Sequence, residues 1–462
     1  MRFARKKRMI SSNAIQYTLS HLLKVAFPLR QPVHFTFEMN EQHVSVRLAD
    51  QYVLEFARFS DEEFDIFRAG KWPTPLRNLK SADGETDIPV FAPARLNGHP
   101  DITVESNRMK IPFDLITPSF LLLSREEEGC RNNRDAHDRF RYENSLAHHY
   151  GFIHLPLVDE YAMLLRKWVL EQLTPDWPLF KRTSQLIPTH DIDLFHRFQN
   201  PWQAFKSIVG RDLLIERNWS AVQNSFHEYK QWRKDTREDP YTSAIHELAD
   251  VSKKNNLNPV FFFKAQIPGE YDFQYSIEDP LLSQCISTLQ EAGAEVGLHG
   301  SYGSYNDAEL FCREKERLEK ASGGPVMCVR QHYLRYSAHP NPPKDSTLQI
   351  WQKAGIHDDY TLGFAEQPGF RCGTCHPFPL YDTENDRATN ITEHPLIVMD
   401  GSLFDYLHLN INDSNALIDK LLYRCQVVEG DFIILWHNHL LSRSYRNLFE
   451  NIYLPLIQKH TT

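Results

Sequence analysis

The sequence predicts an α/β chain, with a closed or nearly closed β/α barrel over residues 184–462 behind a smaller α+β domain over residues 1–183. Three observations carry this. The second part alternates short apolar runs with amphipathic segments, the rhythm of parallel strands and crossover helices. The first part has two alternating runs, HFTFEM and HVSVRLA, which read as antiparallel strands, and a helical period from Pro156 to Leu170. No Gly-rich phosphate turn follows the first strand of the second part, which disfavours an open dinucleotide-binding sheet.

The elements of the second part follow in order. Residues Asp176 to Arg182 read as a linker, and Leu186 to Thr189 as a buried strand. A helix from Tyr241 to about Asn256 precedes the strand Val260–Phe263. Pro280 starts a helix whose apolar positions Leu281, Leu282, Cys285, Ile286, Leu289 and Ala292 keep one face, and Gly293 ends it. Then come a strand from Glu295 to Leu298, a helix from Asp307 to Ala321 stopped by Gly323, and a strand from Val326 to Arg330. A helix from Ser346 to Ala354 leads to a strand near Ile356 to Asp359, followed by a long irregular stretch. The series closes with strand Leu396 to Met399, helix Asp413 to Val428, strand Asp431 to Trp436 and a helix from Ser444.

The 462 residues are enough for two to four domains, and hydrophobic residues at 41% with charged residues at 24% fit a globular protein. Lys+Arg 51 against Asp+Glu 60 gives a net charge of -9, so no general attraction to nucleic acid or anionic lipid is expected. Seven scattered cysteines do not form a secreted disulfide framework and suit a reducing compartment. The basic cluster Arg2, Arg5, Lys6, Lys7 and Arg8 is followed by a segment broken by Gln, Ser, His and Lys, so no signal peptide is expected. No stretch approaches the roughly 20 apolar residues of a transmembrane helix, and a cytoplasmic protein is expected.

Polar residues gather at the C-terminal ends of the predicted strands, where β/α barrels carry their sites. The ends read Thr189-His190-Asp191-Ile192-Asp193, His299-Gly300-Ser301, Arg330-Gln331-His332-Tyr333 and His437-Asn438-His439. Asp191 and Asp193 share one face of an extended segment, and with histidines from other strands they suit a divalent metal beside a general base.

These residues resemble the polysaccharide deacetylases of carbohydrate esterase family 4, the NodB-homology domain. THDID resembles the family's first motif, Arg330-Gln-His332-Tyr333 its third, and FIILWH at Phe432 to His437 its last. The likeness extends to a divergent bacterial branch with HDVD, GLHPSY, RQHYLR and GFRxGT, matched here by HDID, GLHGSY, RQHYLR and GFRCGT. That branch also carries an uncharacterised N-terminal domain similar to SFLLLSREEE and DAHDRFRYENSLAHHYGFIHLPLVDEY.

The resemblance implies a distorted (β/α)7 barrel and metal-dependent hydrolysis of an acetyl group, N-acetyl or O-acetyl, on a sugar used in surface polysaccharide synthesis. By position Asp191 matches the general base, Arg330 the arginine that tethers it, the Tyr333 N–H an oxyanion donor and His437 the general acid. Two positions depart from the pattern. The family's metal aspartate directly follows its base, where this chain has Ile192 and then Asp193; and the second histidine of its second motif falls on Gly303. The expected ligands are therefore Asp193, His299 and a third group, His332, with His190 or a carboxylate such as Asp359 as alternatives. Zinc suits such a set, and nickel, cobalt or manganese are compatible. Another amide hydrolase, such as a deformylase, and a catalytically silent carbohydrate-binding protein are the rival readings.

Three further features draw local expectations. The CGTCH run at Cys372 to His376 has the spacing of a c-type haem attachment, but a loop with two unlinked thiols is the expectation. Asp358 and Asp359 could orient His437 or Arg330, or sit in a surface loop. Arg125 with Glu126 to Glu128 reads as an exposed charge run or an interdomain salt link.

Overall fold

The computed structural model describes residues 10–68, 77–96, 101–130, 133–205, 208, 219–235, 238–266, 271–272, 275–338, 345–442 and 445–459. The N-terminal basic cluster and Ser444 lie outside them.

The first half opens with a helix, Ser12–Ala26, capped by the Ser11 side chain. The two alternating runs form β1 (Phe35–Met39) and β2 (His43–Leu48), antiparallel as expected. They continue into β3 (Tyr52–Ala57), a strand the sequence reading passed over. A separate hairpin joins β4 (Arg77–Lys80) and β5 (Asp87–Val90). With β6 (Thr103–Glu105) and β7 (Arg108–Ile111), the first three strands make a five-stranded sheet in the order β1-β2-β3-β7-β6.

The second half is built on one nine-stranded sheet. Its strands are β8 (Leu186–Ile192), β9 (Val260–Phe263), β10 (Glu295–Gly300), β11 (Cys328–Gln331), β12 (Asp358–Asp359), β13 (Phe378–Asp382), β14 (Arg387–Glu393), β15 (Val398–Met399) and β16 (Phe432–Leu435). Their order is β13-β14-β12-β11-β10-β9-β8-β16-β15, and every pairing is parallel except β13 with β14. That hairpin occupies the stretch expected to be irregular. The fold is thus mixed α/β, with eight consecutive parallel strands from β15 to β14; among the described residues β13 and β15 remain the edges.

The crossover helices start and stop on local chemistry. Asp239 and Asp279 each cap a helix that begins with proline, Pro240–Lys254 and Pro280–Glu291, where the missing N–H costs nothing. Gly323, at φ 72°, terminates the helix Ala308–Ser322.

Strand alternation sorts the sheet into two faces. Phe261, Leu298, Val329 and Ile434 join the main core under the helices, while Phe262, Cys328, Ile433 and Leu435 form a second cluster on the other face. This explains the uninterrupted VFFF: both faces of β9 are buried, and each fully buried Phe contributes roughly 1.5–3 kcal/mol. The sheet also curls. Two strands separate β11 from β8, about 14 Å across a flat sheet, yet Arg330 Nη1 donates to Thr189 Oγ1 at 2.7 Å.

The main core runs without a break through both halves. At the joint, Glu128 is fully buried between Arg125, Nε to Oε1 2.8 Å, and Arg371, Nη2 to Oε1 2.8 Å. Arg125 also pairs with Glu127 at 2.8 Å and donates to the Arg371 carbonyl at 2.6 Å. The Arg125–Glu128 run is therefore an interior link between the halves rather than an exposed charge run. The GFRCGT segment supplies the other side of this joint. Gly369, at φ 148°, has no room for a side chain, because a Cβ would lie 2.3 Å from the Ile153 carbonyl oxygen. Thr374 Oγ1 and the Cys375 N–H donate to Asp159, at 2.6 and 2.8 Å, and Cys372, Cys375 and His376 are all buried. Both thiols are free, and burial raises both well above the ordinary thiol range of reactivity: Cys372 to about 11, and Cys375 further.

Burial opposes ionisation of Glu128, but Arg371 and Arg125 outweigh it and hold its pKa at about 2. A carboxylate depressed in the folded state adds stability that is complete above its unfolded pKa near 4.5 and is lost as pH falls toward 2. Glu128→Ala should leave the buried Arg371 guanidinium without its carboxylate, and Arg125 with Glu127 alone, and cost about 3–5 kcal/mol in urea denaturation. The acid-induced loss of stability between pH 4.5 and 2 should flatten in the same variant; a loss under about 1 kcal/mol would show that the joint does not depend on this ion cluster.

Candidate metal centre and catalytic cleft

The strand ends project their polar residues by the same alternation that sorts the apolar ones. On the inner face, Thr189 and Asp191 of β8 are followed by Asp193, Phe262 of β9 by Lys264, Gly297 of β10 by His299, Cys328 of β11 by Arg330 and His332, and Leu435 of β16 by His437. His190 points to the outer face. Its Nδ1–H donates to the Trp436 carbonyl at 2.7 Å, its ring packs 4.7 Å from Phe261, and burial lowers its pKa to about 4. His190 is therefore placed as a structural residue and not as the alternative ligand.

Asp193, His299 and His332 come together, with ligand-capable atoms all within 4.8 Å of one another. Asp193 Oδ1 lies 3.5 Å from His299 Nε2 and 3.3 Å from His332 Nε2. The ring protons are assigned by their outer partners. His299 Nδ1 is 2.9 Å from the Arg330 carbonyl, which only accepts, so Nδ1 carries a proton and Nε2 is the atom that faces Asp193. His332 Nδ1 donates in the same way to Asp272 Oδ1 at 2.8 Å. Burial pushes His332 down to about 4, which keeps this imidazole neutral at pH 7. His299 Nε2 is buried with no hydrogen-bond partner among the described residues. One carboxylate and two imidazoles, each with its Nδ1 held by an outer partner, form a donor set that fits a divalent metal with an open position. Gly303 adds nothing to it: it lies in a turn before the short helix Ser304–Asn306.

Two further pairs flank the cluster. Arg330 Nη1 donates to Asp191 Oδ1 at 3.2 Å, while its Nε donates to the Tyr360 carbonyl at 2.9 Å and its guanidinium lies 4.8 Å from the Phe262 ring centroid. Arg330 thus bonds the Asp191 carboxylate. On the opposite side, His437 Nε2 is 3.5 Å from Asp193 Oδ2, and its Nδ1 pairs with Asp400 Oδ1 at 2.7 Å. Burial disfavours the imidazolium, but Asp400, with Asp193 and Asp191 behind it, raises the His437 pKa to about 10. Asp400 thus orients His437. Asp358 instead pairs with His394 at 2.9 Å, and Asp359 lies buried against Thr361 and Glu393, its carboxyl pushed up by burial. Neither Asp358 nor Asp359 reaches the metal cluster as a ligand.

Sequence reasoning missed Lys264, Asp272 and Asp400. It also missed that the first half supplies part of the cleft wall. The His137 ring packs at 4.6 Å from that of Tyr333, tilted by 46°, and meets Tyr302 OH at 3.1 Å, and Arg139 donates to the Tyr333 carbonyl at 3.3 Å and to Tyr406 OH at 3.0 Å. Tyr271 stacks on Tyr302 at 4.2 Å, and the rings of His137, Tyr271, Tyr302 and Tyr333 are partly exposed. Tyr333, at φ 60° and ψ 15°, and Leu334, at φ 55°, both adopt left-handed backbone that bulky residues rarely tolerate. Such strain persists only where surrounding contacts enforce it. The Arg139 bond to Tyr333 is one of those contacts.

A family model described as a family of unknown function, DUF7033, matches residues 3–175. No curated protein matches the chain. Among solved structures, the chain is similar to a putative polysaccharide deacetylase from Mycobacterium smegmatis, at 16% identity and a TM-score of 0.38 over 61% of this chain and 86% of that one. It is similar to a CE4 family pseudoenzyme from Bacillus anthracis at 10% identity and a TM-score of 0.27, over 59% of this chain and 62% of that one. A family 4 carbohydrate esterase from Streptomyces lividans, in complex with acetate, matches at 14% identity and a TM-score of 0.26, over 47% and 83%. At such identities and scores these likenesses carry no assignment of activity to this chain.

Proposed function

We propose that the chain is a metal-dependent hydrolase that removes an acetyl group from a sugar, N-acetyl in preference to O-acetyl, and that its second half is a distorted (β/α)7 barrel. The observation that supports it is the convergence of Asp193, His299 Nε2 and His332 Nε2, between a tethered carboxylate and a charged imidazole. Zinc is the metal this donor set suits best, with nickel, cobalt or manganese compatible.

A divalent metal held there supplies a water of lowered pKa and polarises the acetyl carbonyl. Asp191, fixed by Arg330, takes the proton from the attacking water. The Tyr333 N–H, presented by its strained turn, donates to the developing oxyanion. His437, held charged by Asp400, gives its proton to the departing amine; the proton on Asp191 then recharges His437, and acetic acid passes its proton to the amine, so amide and water become acetate and ammonium. The partly exposed rings of Tyr302, Tyr333 and His137 offer apolar faces for a pyranose beside this centre. A role in surface polysaccharide synthesis rests on the motif resemblance. One observation favours a second reading, a catalytically silent carbohydrate-binding protein: the Lys264 ammonium sits 2.6 Å from Asp193 Oδ1.

Asp191→Asn should abolish deacetylation of acetylated amino sugars yet retain stoichiometric zinc in elemental analysis, while His299→Ala should lose the metal. Equal zinc content in both would refute this division of labour. His332→Ala should weaken zinc binding at least tenfold, and His190→Ala should leave it unchanged in titrations of folded protein.

Asp400→Asn removes the strongest group favouring the His437 imidazolium, so the His437 pKa should fall from about 10 toward 6.5, read by NMR titration of its ring protons. The sign for stability follows. A histidine raised in the folded state contributes fully below about pH 6.5, and the contribution is lost as pH rises toward 10. An unmoved His437 titration in Asp400→Asn would remove Asp400 from this role.

A further inference from the structure

Lys264 follows β9 on the inner face, its side chain 4% exposed. Its Nζ is 2.6 Å from Asp193 Oδ1, 3.1 Å from His332 Nε2 and 3.9 Å from Asp272 Oδ1. The backbone is pinned there: the Lys264 N–H donates to Tyr275 OH at 2.7 Å, and that hydroxyl donates to the Ile192 carbonyl at 2.7 Å. The ammonium therefore addresses two of the three donor atoms that a metal would use.

Those donors cannot serve both cations. With the His332 proton committed to Asp272 through Nδ1, Nε2 has a single in-plane lone pair, and an ammonium hydrogen bond and a metal bond both require it. A divalent ion bonding Asp193 and His332 at about 2 Å would also stand against a like charge in a buried site, where little water screens the repulsion.

The geometry points to Lys264 as a built-in competitor of the metal: its ammonium holds the Asp193–His332 donors in the metal-free protein, and a divalent cation binds only by displacing it. This rests on the metal-site reading above and adds to it that metal loading is coupled to movement of one side chain. It also joins the two readings of the site, because the Lys264-occupied form has a filled cation position and no open coordination place, while the displaced form has both. No bond is made or broken in the exchange; one cation replaces another on the same oxygen and nitrogen.

The test is a zinc titration by calorimetry, with cobalt absorption as a second readout, on the full chain stripped of metal. Wild type, Lys264→Met, Lys264→Gln and His299→Ala would be compared. Lys264→Met should bind one equivalent of zinc at least tenfold more tightly than wild type. Lys264→Gln, which keeps polarity and most of the length but removes the charge, should shift the same way and serves if the Met variant does not fold. Folded Lys264 variants that bind zinc no more tightly than wild type, with binding still abolished in His299→Ala, would overturn the competition and leave the metal site standing. Zinc binding that survives His299→Ala unchanged, or is absent from every variant, would overturn the metal-site reading and the competition with it.

Discussion

A single carboxylate shared by two arginines organises the meeting of the two halves. Arg125 comes from the first half, Arg371 from the second, and Glu128 binds both in an interior where none could remain charged alone. Buried ion pairs often add little net stability over apolar packing, but they fix register, since any displacement strands a charge in low dielectric. The register here matters because a short distance along the chain lie His137, which bonds to Tyr302 OH and packs on the Tyr333 ring, and Arg139, which donates to the Tyr333 carbonyl. The ion cluster thereby sets the position of a turn it never touches.

The chemistry of the cleft follows from opposed environments for similar groups. His332 is driven neutral by burial while His437 is held charged by Asp400, and the two lie on opposite sides of Asp193. A lone-pair donor and a proton donor, set apart by their partners, give one cluster both coordination and acid chemistry. Asp193 is held well below the usual carboxylate range: burial opposes its charge, and the Lys264 ammonium outweighs that cost.

The inner-face pattern was legible because strand alternation is local: Asp191 and Asp193 share a side with Arg330 and His332, and His190 does not. The partners were not legible. Asp272 stands 60 residues from His332 and Asp400 stands 37 from His437, in segments with no periodic signal, so only the folded arrangement brings them together. Lys264 was within reach, since it continues the parity of VFFF, but a lysine after an apolar strand usually marks its solvent end. The β13–β14 hairpin went unread because Pro379 and the polar ATNITE run lack clean alternation. In the first half, β3 has a short apolar pattern that resembles a helix start as much as a strand, and its identity comes from pairing with β2 and β7.

The helix Ser12–Ala26 lies against the hairpin of the second half, where Tyr17 OH donates to the Pro379 carbonyl across 362 residues of chain. A ribosome releases roughly 5–20 residues per second. The helix therefore waits on the order of 20–70 seconds for the strand that completes its environment, longer than most single domains need to fold. Helices Leu157–Gln172 and Ile116–Leu123 cover most of its apolar face earlier, and the strip around Tyr17 stays open to other polypeptides for that interval. Expression yield should therefore depend on synthesis rate and on helpers that shield nascent chains, even where the finished fold is stable.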